Sequence, residues 1–133
     1  MTTALIDTHV LVWLALEPKR ISKKAHQAIQ RATARGGLSI ASISLWEIAQ
    51  LISQRRISIS GTITNWTTEL LANSGVATLD LTPTIAELSM SFGPDYPKDP
   101  ADRIIGATAR AHSMALVTAD ARLRDCPLLN CIW

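Results

Sequence analysis

Short apolar runs alternate along the chain with longer segments in which apolar residues recur every three or four positions. The helical spacing of the longer segments is typical of amphipathic helices, and short runs bounded by turn residues are typical of buried strands. We therefore predict strands over residues 4–6, 38–41, 76–81, 115–118 and 128–133. We predict helices over residues 9–16, 21–37, 42–56, 62–73, 82–92 and 100–113.

This alternation of strands and helices predicts an α/β fold. Strands separated by helices usually lie parallel and are covered by helices on both faces. We therefore expect a three-layer α/β/α arrangement around a central, mostly parallel sheet of about four to five strands. No repeat, low-complexity tract or linker interrupts the 133 residues, so we predict a single domain over residues 1–133.

Composition narrows the class of protein further. Hydrophobic residues make up 47% of the chain and charged residues 18%, a balance that excludes a disordered chain. The early apolar run is interrupted by Asp7 and His9 and follows no basic leader, so we expect no signal peptide. No stretch approaches the roughly 20 apolar residues of a membrane span. We expect a cytoplasmic protein that does not bind membranes.

The charges are unevenly distributed along the chain. Residues 1–56 contain eight Lys and Arg against three Asp and Glu, whereas residues 57–133 contain five against eight. This asymmetry is compatible with a basic rim beside an acidic site, an arrangement that suits a polyanionic ligand. Ordinary solvated helix faces explain it equally well, so charge alone does not decide between the two interpretations.

Two acidic residues stand just beyond the ends of predicted strands, where a parallel sheet binds its ligands, and a third lies inside a predicted helix. Asp7 directly follows the first strand, and Asp120 comes two residues after the strand 115–118. Either carboxylate could instead cap the next helix. Glu47 lies inside the helix 42–56, bounded by apolar residues, and a covered carboxylate is costly unless it is paired or bound to a metal.

The stretch KDPADRIIGA, residues 98–107, contains two further candidates. Asp99 followed by Pro100 is a typical helix start, so Asp99 has a sufficient structural explanation as the N-cap. Asp102 lies three and four residues before Ile105 and Gly106 and shares their helix face, which we expect to point toward the sheet. Asp102 is therefore the better candidate for chemistry.

Asp7, Glu47, Asp102 and Asp120 are thus expected in one pocket. Four carboxylates placed together repel one another, and the arrangement makes sense if divalent cations neutralise them. Mg²⁺ prefers oxygen ligands of this kind, and such ions promote displacement at phosphorus. A phosphodiester is the natural substrate of a carboxylate and metal site beside a basic surface.

Four motifs, in the order LIDTHVLVWL, SLWEIAQL, DPADRIIGATA and ALVTAD, resemble those of the PIN-domain ribonucleases, and most of all the VapC-type toxins of bacterial toxin–antitoxin pairs. The resemblance covers nearly the whole chain. It implies a PIN-like α/β fold, Mg²⁺- or Mn²⁺-dependent endonucleolytic cleavage of RNA, a homodimer, and inhibition by a small VapB-like antitoxin within a larger toxin–antitoxin complex.

The resemblance also assigns roles to individual residues. Asp7 and Asp102 correspond to direct metal ligands, and Glu47 and Asp120 complete the set, directly or through water. Whether Asp99 also reaches the metal stays open. The resemblance assigns a supporting role to two hydroxyl residues, and we add three basic candidates for holding RNA phosphates, each of which could equally be a solvated surface charge. The two hydroxyl residues are Thr8 and Thr118, and the three basic candidates are Arg55, Arg56 and Arg103.

Our leading hypothesis is that the protein is a ribonuclease that acts as a toxin, and three alternatives compete with it. A PIN-like RNA-processing nuclease without a toxin role would need the same acids, and a catalytically inactive binding module would have no need to keep them. A phosphatase of the haloacid-dehalogenase type expects a second aspartate where this chain has His9. The apolar runs over residues 11–16 and 45–53 are candidates for the antitoxin groove or the dimer surface, and equally for the core.

Overall fold

The computed structural model describes residues 3–133 and contains a sheet of five strands in the order β3-β2-β1-β4-β5. Each pairing of neighbouring strands in this sheet is parallel. The predicted α/β fold with a mostly parallel sheet is therefore confirmed. The strands are β1 (Ala4–Ile6), β2 (Leu38–Ala41), β3 (Ala77–Leu79), β4 (Ala115–Val117) and β5 (Cys131–Ile132).

Helices connect the strands. A single 3-10 turn, Pro18–Arg20, separates the first two of them. Across residues 3–133, no helix is long and apolar enough to cross a lipid bilayer. The helices are α1 (Thr8–Leu16), α2 (Lys23–Ala34), α3 (Ile43–Ser53), α4 (Ile63–Ser74), α5 (Pro83–Ser89), α6 (Pro100–Ala111) and α7 (Ala121–Arg124).

The sheet buries both of its faces, which gives the three layers. Along β1, Ile6 packs into one apolar cluster, which also contains residues of α1 and α2, while its neighbour Leu5 packs into a second cluster with residues of α5 and α6. In β4, Val117 and Leu116 divide in the same way. Side chains alternate between the faces of a strand, so only strands covered on both sides read as continuous apolar runs.

Several predicted helices and strands are longer than the observed ones. The helix predicted over 42–56 ends at Ser53, and Arg55 has a positive φ of 59°, which places Arg55 and Arg56 outside the helix. The strand predicted over 128–133 is confined to Cys131–Ile132. The short helix α7 was not predicted, because four residues are too few to show a periodic pattern.

Candidate active site

Asp7 lies at the carboxyl end of β1 and is only 4% exposed. Its Oδ1 accepts a hydrogen bond of 2.8 Å from the backbone N–H of Thr8, so it caps α1. Its Oδ2 accepts a hydrogen bond of 2.8 Å from the hydroxyl of Thr118. The parallel pairing of Ile6 with Val117 brings Thr118 beside Asp7 across 111 residues of sequence. Asp7 is therefore both a cap and a buried, oriented carboxylate.

Glu47 reaches the same region from α3. The Thr8 hydroxyl donates to Glu47 Oε1 at 2.5 Å and lies 2.8 Å from the hydroxyl of Ser44. Burial raises the pKa of Glu47 above its usual range, and the negative charges of Asp7 and Asp99 raise it further, while the Thr8 hydrogen bond opposes the change. Glu47 is thus a half-buried carboxylate held next to other acids.

The start of α6 contributes two more carboxylates with different roles. Asp99 Oδ1 accepts from the backbone N–H groups of Ala101 at 2.8 Å and Asp102 at 3.3 Å, which confirms that Asp99 is the N-cap. Burial raises the pKa of Asp102 to about 7, and the charges of Asp7, Asp99 and Glu47 add to the effect. The side chain of Asp102 is only 16% exposed, so it turns inward, as the helix-face argument predicts.

Asp120 is held differently from the other acids. It caps α7 by accepting a hydrogen bond of 2.9 Å from the backbone N–H of Arg122, and the Arg122 guanidinium binds both of its oxygens, at 3.1 and 2.7 Å. This pairing lowers the pKa of Asp120. The same guanidinium nitrogen, Nη2, lies 3.5 Å from Asp102 Oδ2. Arg122 thus connects Asp120 with Asp102.

His9 also borders the site. Its Nε2 accepts a hydrogen bond of 3.1 Å from the backbone N–H of Ala119, while its Nδ1 lies 3.6 Å from Asp7 Oδ2. The Nδ1 side of the ring therefore faces Asp7. His9 joins the β4–α7 turn to the first strand, a structural role in keeping with its position on the first turn of α1.

Sequence reasoning missed two residues at the acids. Arg122 contacts Asp102 and Asp120, and the available signal was its spacing of two residues from Asp120. Tyr96, which is 5% exposed, donates from its hydroxyl to the backbone carbonyl of Asp102 at 2.7 Å. A tyrosine in the predicted loop 93–97 gave no sequence signal for this contact, because the loop returns onto α6 only in the folded chain.

The basic residues predicted to bind RNA are less closely connected to the acids. Arg55 and Arg56 are exposed and lie beyond the end of α3, the helix that carries Glu47. Arg103 Nη1 donates to the carbonyl of Ser89 at 3.3 Å and so contacts α5. A role for these three residues in substrate binding stays a prediction.

The chemistry of the carboxylates fits a divalent cation. Within residues 3–133, no three His, Cys, Asp or Glu side chains already meet as closely as metal ligands do. The acids are nevertheless close enough for Asp7, Asp99 and Glu47 to raise the pKa of Asp102. Negative charge on hard oxygen ligands, which Arg122 offsets only in part, is the environment in which Mg²⁺ or Mn²⁺ binds.

Comparison with known proteins assigns this chain, which has a parallel α/β fold and acidic residues at one edge of its sheet, to a protein family. The PIN domain profile matches residues 4–127, which is most of the chain. The chain therefore belongs to the PIN domain family. It is 42% identical over 125 residues to Ribonuclease VapC22 of Mycobacterium tuberculosis (strain ATCC 25618 / H37Rv), a match that covers 94% of this chain and 92% of that protein.

Solved structures share the fold. DNA-bound VapBC from Salmonella typhimurium superposes with a TM-score of 0.70 at 15% identity and covers 98% of this chain and 97% of that one. A toxin–antitoxin complex from Klebsiella pneumoniae gives a TM-score of 0.62 at 22% identity, with coverage of 96% and 95%. These TM-scores show that the fold is shared, and the predicted PIN-like architecture is confirmed.

Proposed function

We propose that this protein is an Mg²⁺- or Mn²⁺-dependent endoribonuclease and the toxin of a toxin–antitoxin pair. The observation that carries the proposal is the set of contacts that connects the four acids. Thr8 binds both Asp7 and Glu47, Thr118 binds Asp7 and the backbone N–H of Asp120, and Arg122 contacts both Asp120 and Asp102. Membership of the PIN family and the 42% identity to a protein named a ribonuclease support RNA as the substrate.

The residues divide the work of the proposed site. Asp7 and Asp102 would hold the metal directly, and Glu47 and Asp120 would complete the ligand set, directly or through water. Thr118 and the backbone N–H of Thr8 orient the two oxygens of Asp7, and each oxygen keeps a further lone pair for a cation. When bound, Mg²⁺ or Mn²⁺ supplies the positive charge that offsets the acids and polarises a phosphodiester.

The proposed partner is a small antitoxin, since structures that share this fold are toxin–antitoxin and VapBC complexes. An apolar groove of about 470 Å³ between α1, α2 and α4 offers it a surface, lined in part by Leu14, Leu16 and Trp66. Leu16 is 43% exposed there, whereas Leu11 of the same run is fully buried. The run 11–16 thus serves both the core and this surface. The proposal also includes that two copies of this chain form a homodimer.

Cleavage of RNA by purified protein tests the enzymatic part. We expect Mg²⁺ or Mn²⁺ to support cleavage of structured RNA, a chelator to stop it, and Asp7→Asn to lose it. Glu69→Gln is the matched control, because Glu69 lines the groove beside Trp66 and leaves the acids unchanged. Cleavage that survives complete removal of metal would contradict the proposal.

The same preparation separates the alternatives. A phosphatase would release inorganic phosphate from small monoesters, and a binding module would retain RNA without turnover. For the toxin role, expression of the protein alone should arrest growth of its host, and Asp7→Asn should relieve the arrest. Cleavage without growth arrest would favour an RNA-processing nuclease.

A further inference from the structure

Arg122 places a positive charge on the oxygens that the proposed metal site needs. Its Nη2 lies 2.7 Å from Asp120 Oδ2 and 3.5 Å from Asp102 Oδ2. Its Nε binds the other oxygen of Asp120 at 3.1 Å. One guanidinium therefore links carboxylates from two separate elements, α6 and the turn before α7.

The side chain of Arg122 can also move away from these two carboxylates. Its side chain is 63% exposed, whereas the side chains of Asp102 and Asp120 are 16% and 21% exposed. An exposed arginine on a surface helix changes rotamer readily, and ion pairs that face solvent contribute little to stability. The backbone N–H of Arg122 still donates to Asp120 Oδ1 after the guanidinium moves away, so the capping hydrogen bond of α7 does not depend on the side chain.

A divalent cation and this guanidinium exclude one another from the same oxygens. Mg²⁺ sits about 2.0–2.1 Å from its oxygen ligands, and a second positive charge within hydrogen-bond distance of those ligands is repelled. We propose that Arg122 is a built-in counterion that a divalent cation must displace from Asp102 and Asp120, so that Arg122 lowers the metal affinity of the site. This inference rests on the proposed function, since it takes the acids as the metal site.

The alternative role of Arg122, as a brace that holds Asp120 in place, predicts the opposite sign. If Arg122 only positions Asp120, its removal should weaken metal binding, because the carboxylate would lose its orientation. If Arg122 competes with the cation, its removal should strengthen metal binding. The sign of the change in affinity therefore separates the two roles without any measurement of cleavage.

The test is a calorimetric titration of metal-free protein with Mn²⁺. We expect Arg122→Gln to bind Mn²⁺ about 5- to 20-fold more tightly than the unaltered chain, the range for removing one charge close to a divalent ion in water. Arg122→Lys, which keeps the charge and loses the two-pronged geometry, should fall between them. Arg124→Gln removes the same charge from α7 two positions further on and should stay within about twofold of the unaltered chain.

Each result has a definite meaning. Equal or weaker binding by Arg122→Gln would overturn the inference alone, as would an equal gain in Arg124→Gln, which would indicate a general field effect. Absence of Mn²⁺ binding in the unaltered chain and in Arg122→Gln would overturn both the inference and the metal-dependent function. Circular dichroism of each variant confirms the fold, which an exposed side chain should leave unchanged.

Discussion

The two ends of the acidic site hold their carboxylates in contrasting ways. Asp7 is 4% exposed and receives its hydrogen bonds from a backbone N–H and a buried threonine, which two central strands keep in place. Asp120 depends on Arg122, whose side chain is 63% exposed, on a helix of four residues. The Asp7 end is preorganised by the core, whereas the Asp120 end can be rearranged by whatever binds.

The largest effect should come from the rigid end. Asp7→Asn should lower kcat/KM for RNA cleavage by at least about 100-fold, because it removes the charge of the best-oriented carboxylate from the proposed metal site. Asp120→Asn should lower kcat/KM by about 10-fold, because the more exposed Asp120 end of the site can rearrange around the metal. Steady-state cleavage assays at saturating Mn²⁺ compare the two. Equal losses would remove the proposed distinction between the ends.

Thr118 tests whether the hydroxyl contacts create that rigidity. Its hydroxyl donates to Asp7 Oδ2 and accepts the backbone N–H of Asp120 at 3.1 Å. Thr118→Val should weaken Mn²⁺ binding roughly 10- to 100-fold, as expected when a metal ligand loses its orienting partner. Thr118→Ser retains the hydroxyl and should bind nearly as the unaltered chain does. Calorimetric titration measures both, and weak binding by the serine variant would point to packing instead.

Asp102 should destabilise the metal-free fold at high pH. Its pKa is raised to about 7, so between about pH 4 and 7 the folded chain binds more protons than the unfolded chain, and stability falls as the pH rises. Asp102→Asn removes this cost. Its Tm in a chelator should exceed that of the unaltered chain by roughly 3–8 °C at pH 8, with little difference at pH 4.

Asp120→Asn should show the opposite sign in the same melting experiment. The pKa of Asp120 is lowered by Arg122, so its contribution to stability is present at neutral pH and is lost as the pH falls below the usual aspartate range. The variant should melt slightly lower at pH 8, by roughly 1–3 °C, because the pair faces solvent. Stabilisation by both substitutions would mean that Arg122 does not compensate Asp120.

The smallest effect should come from Tyr96, which supports the start of α6. Tyr96→Phe loses the 2.7 Å hydrogen bond to the Asp102 carbonyl while keeping the ring that stacks on Phe92. The free energy of unfolding should fall by about 0.5–1.5 kcal/mol, and urea unfolding measures it. Mn²⁺ affinity should change little, since Asp99 still caps the helix. A large loss of affinity would show that the position of Asp102 depends on Tyr96.

Local chemistry explains why much of the site could be predicted. Asp99 followed by Pro100 specifies a helix start within two residues, and the face shared with Ile105 then turns Asp102 inward. Apolar runs located the five strands, and their order placed Asp7 and Asp120 near strand ends. The ends of the helices were harder to predict, because they depend on contacts that the apolar pattern does not contain. The helix predicted over residues 42–56, for example, ends three residues earlier in the structure, at Ser53.

By itself, the sequence determined the α/β class, the strands and the set of candidate acids, since these follow from apolar periodicity and from capping preferences of neighbouring residues. Only the tertiary structure decided how the acids are held. Thr118 meets Asp7 through the register of β1 with β4, and Tyr96 packs over Gly106, where an added Cβ would overlap its hydroxyl. Arg122 reaches two acids through space. Such contacts join residues far apart in the chain, and no local pattern encodes which distant side chain will be there.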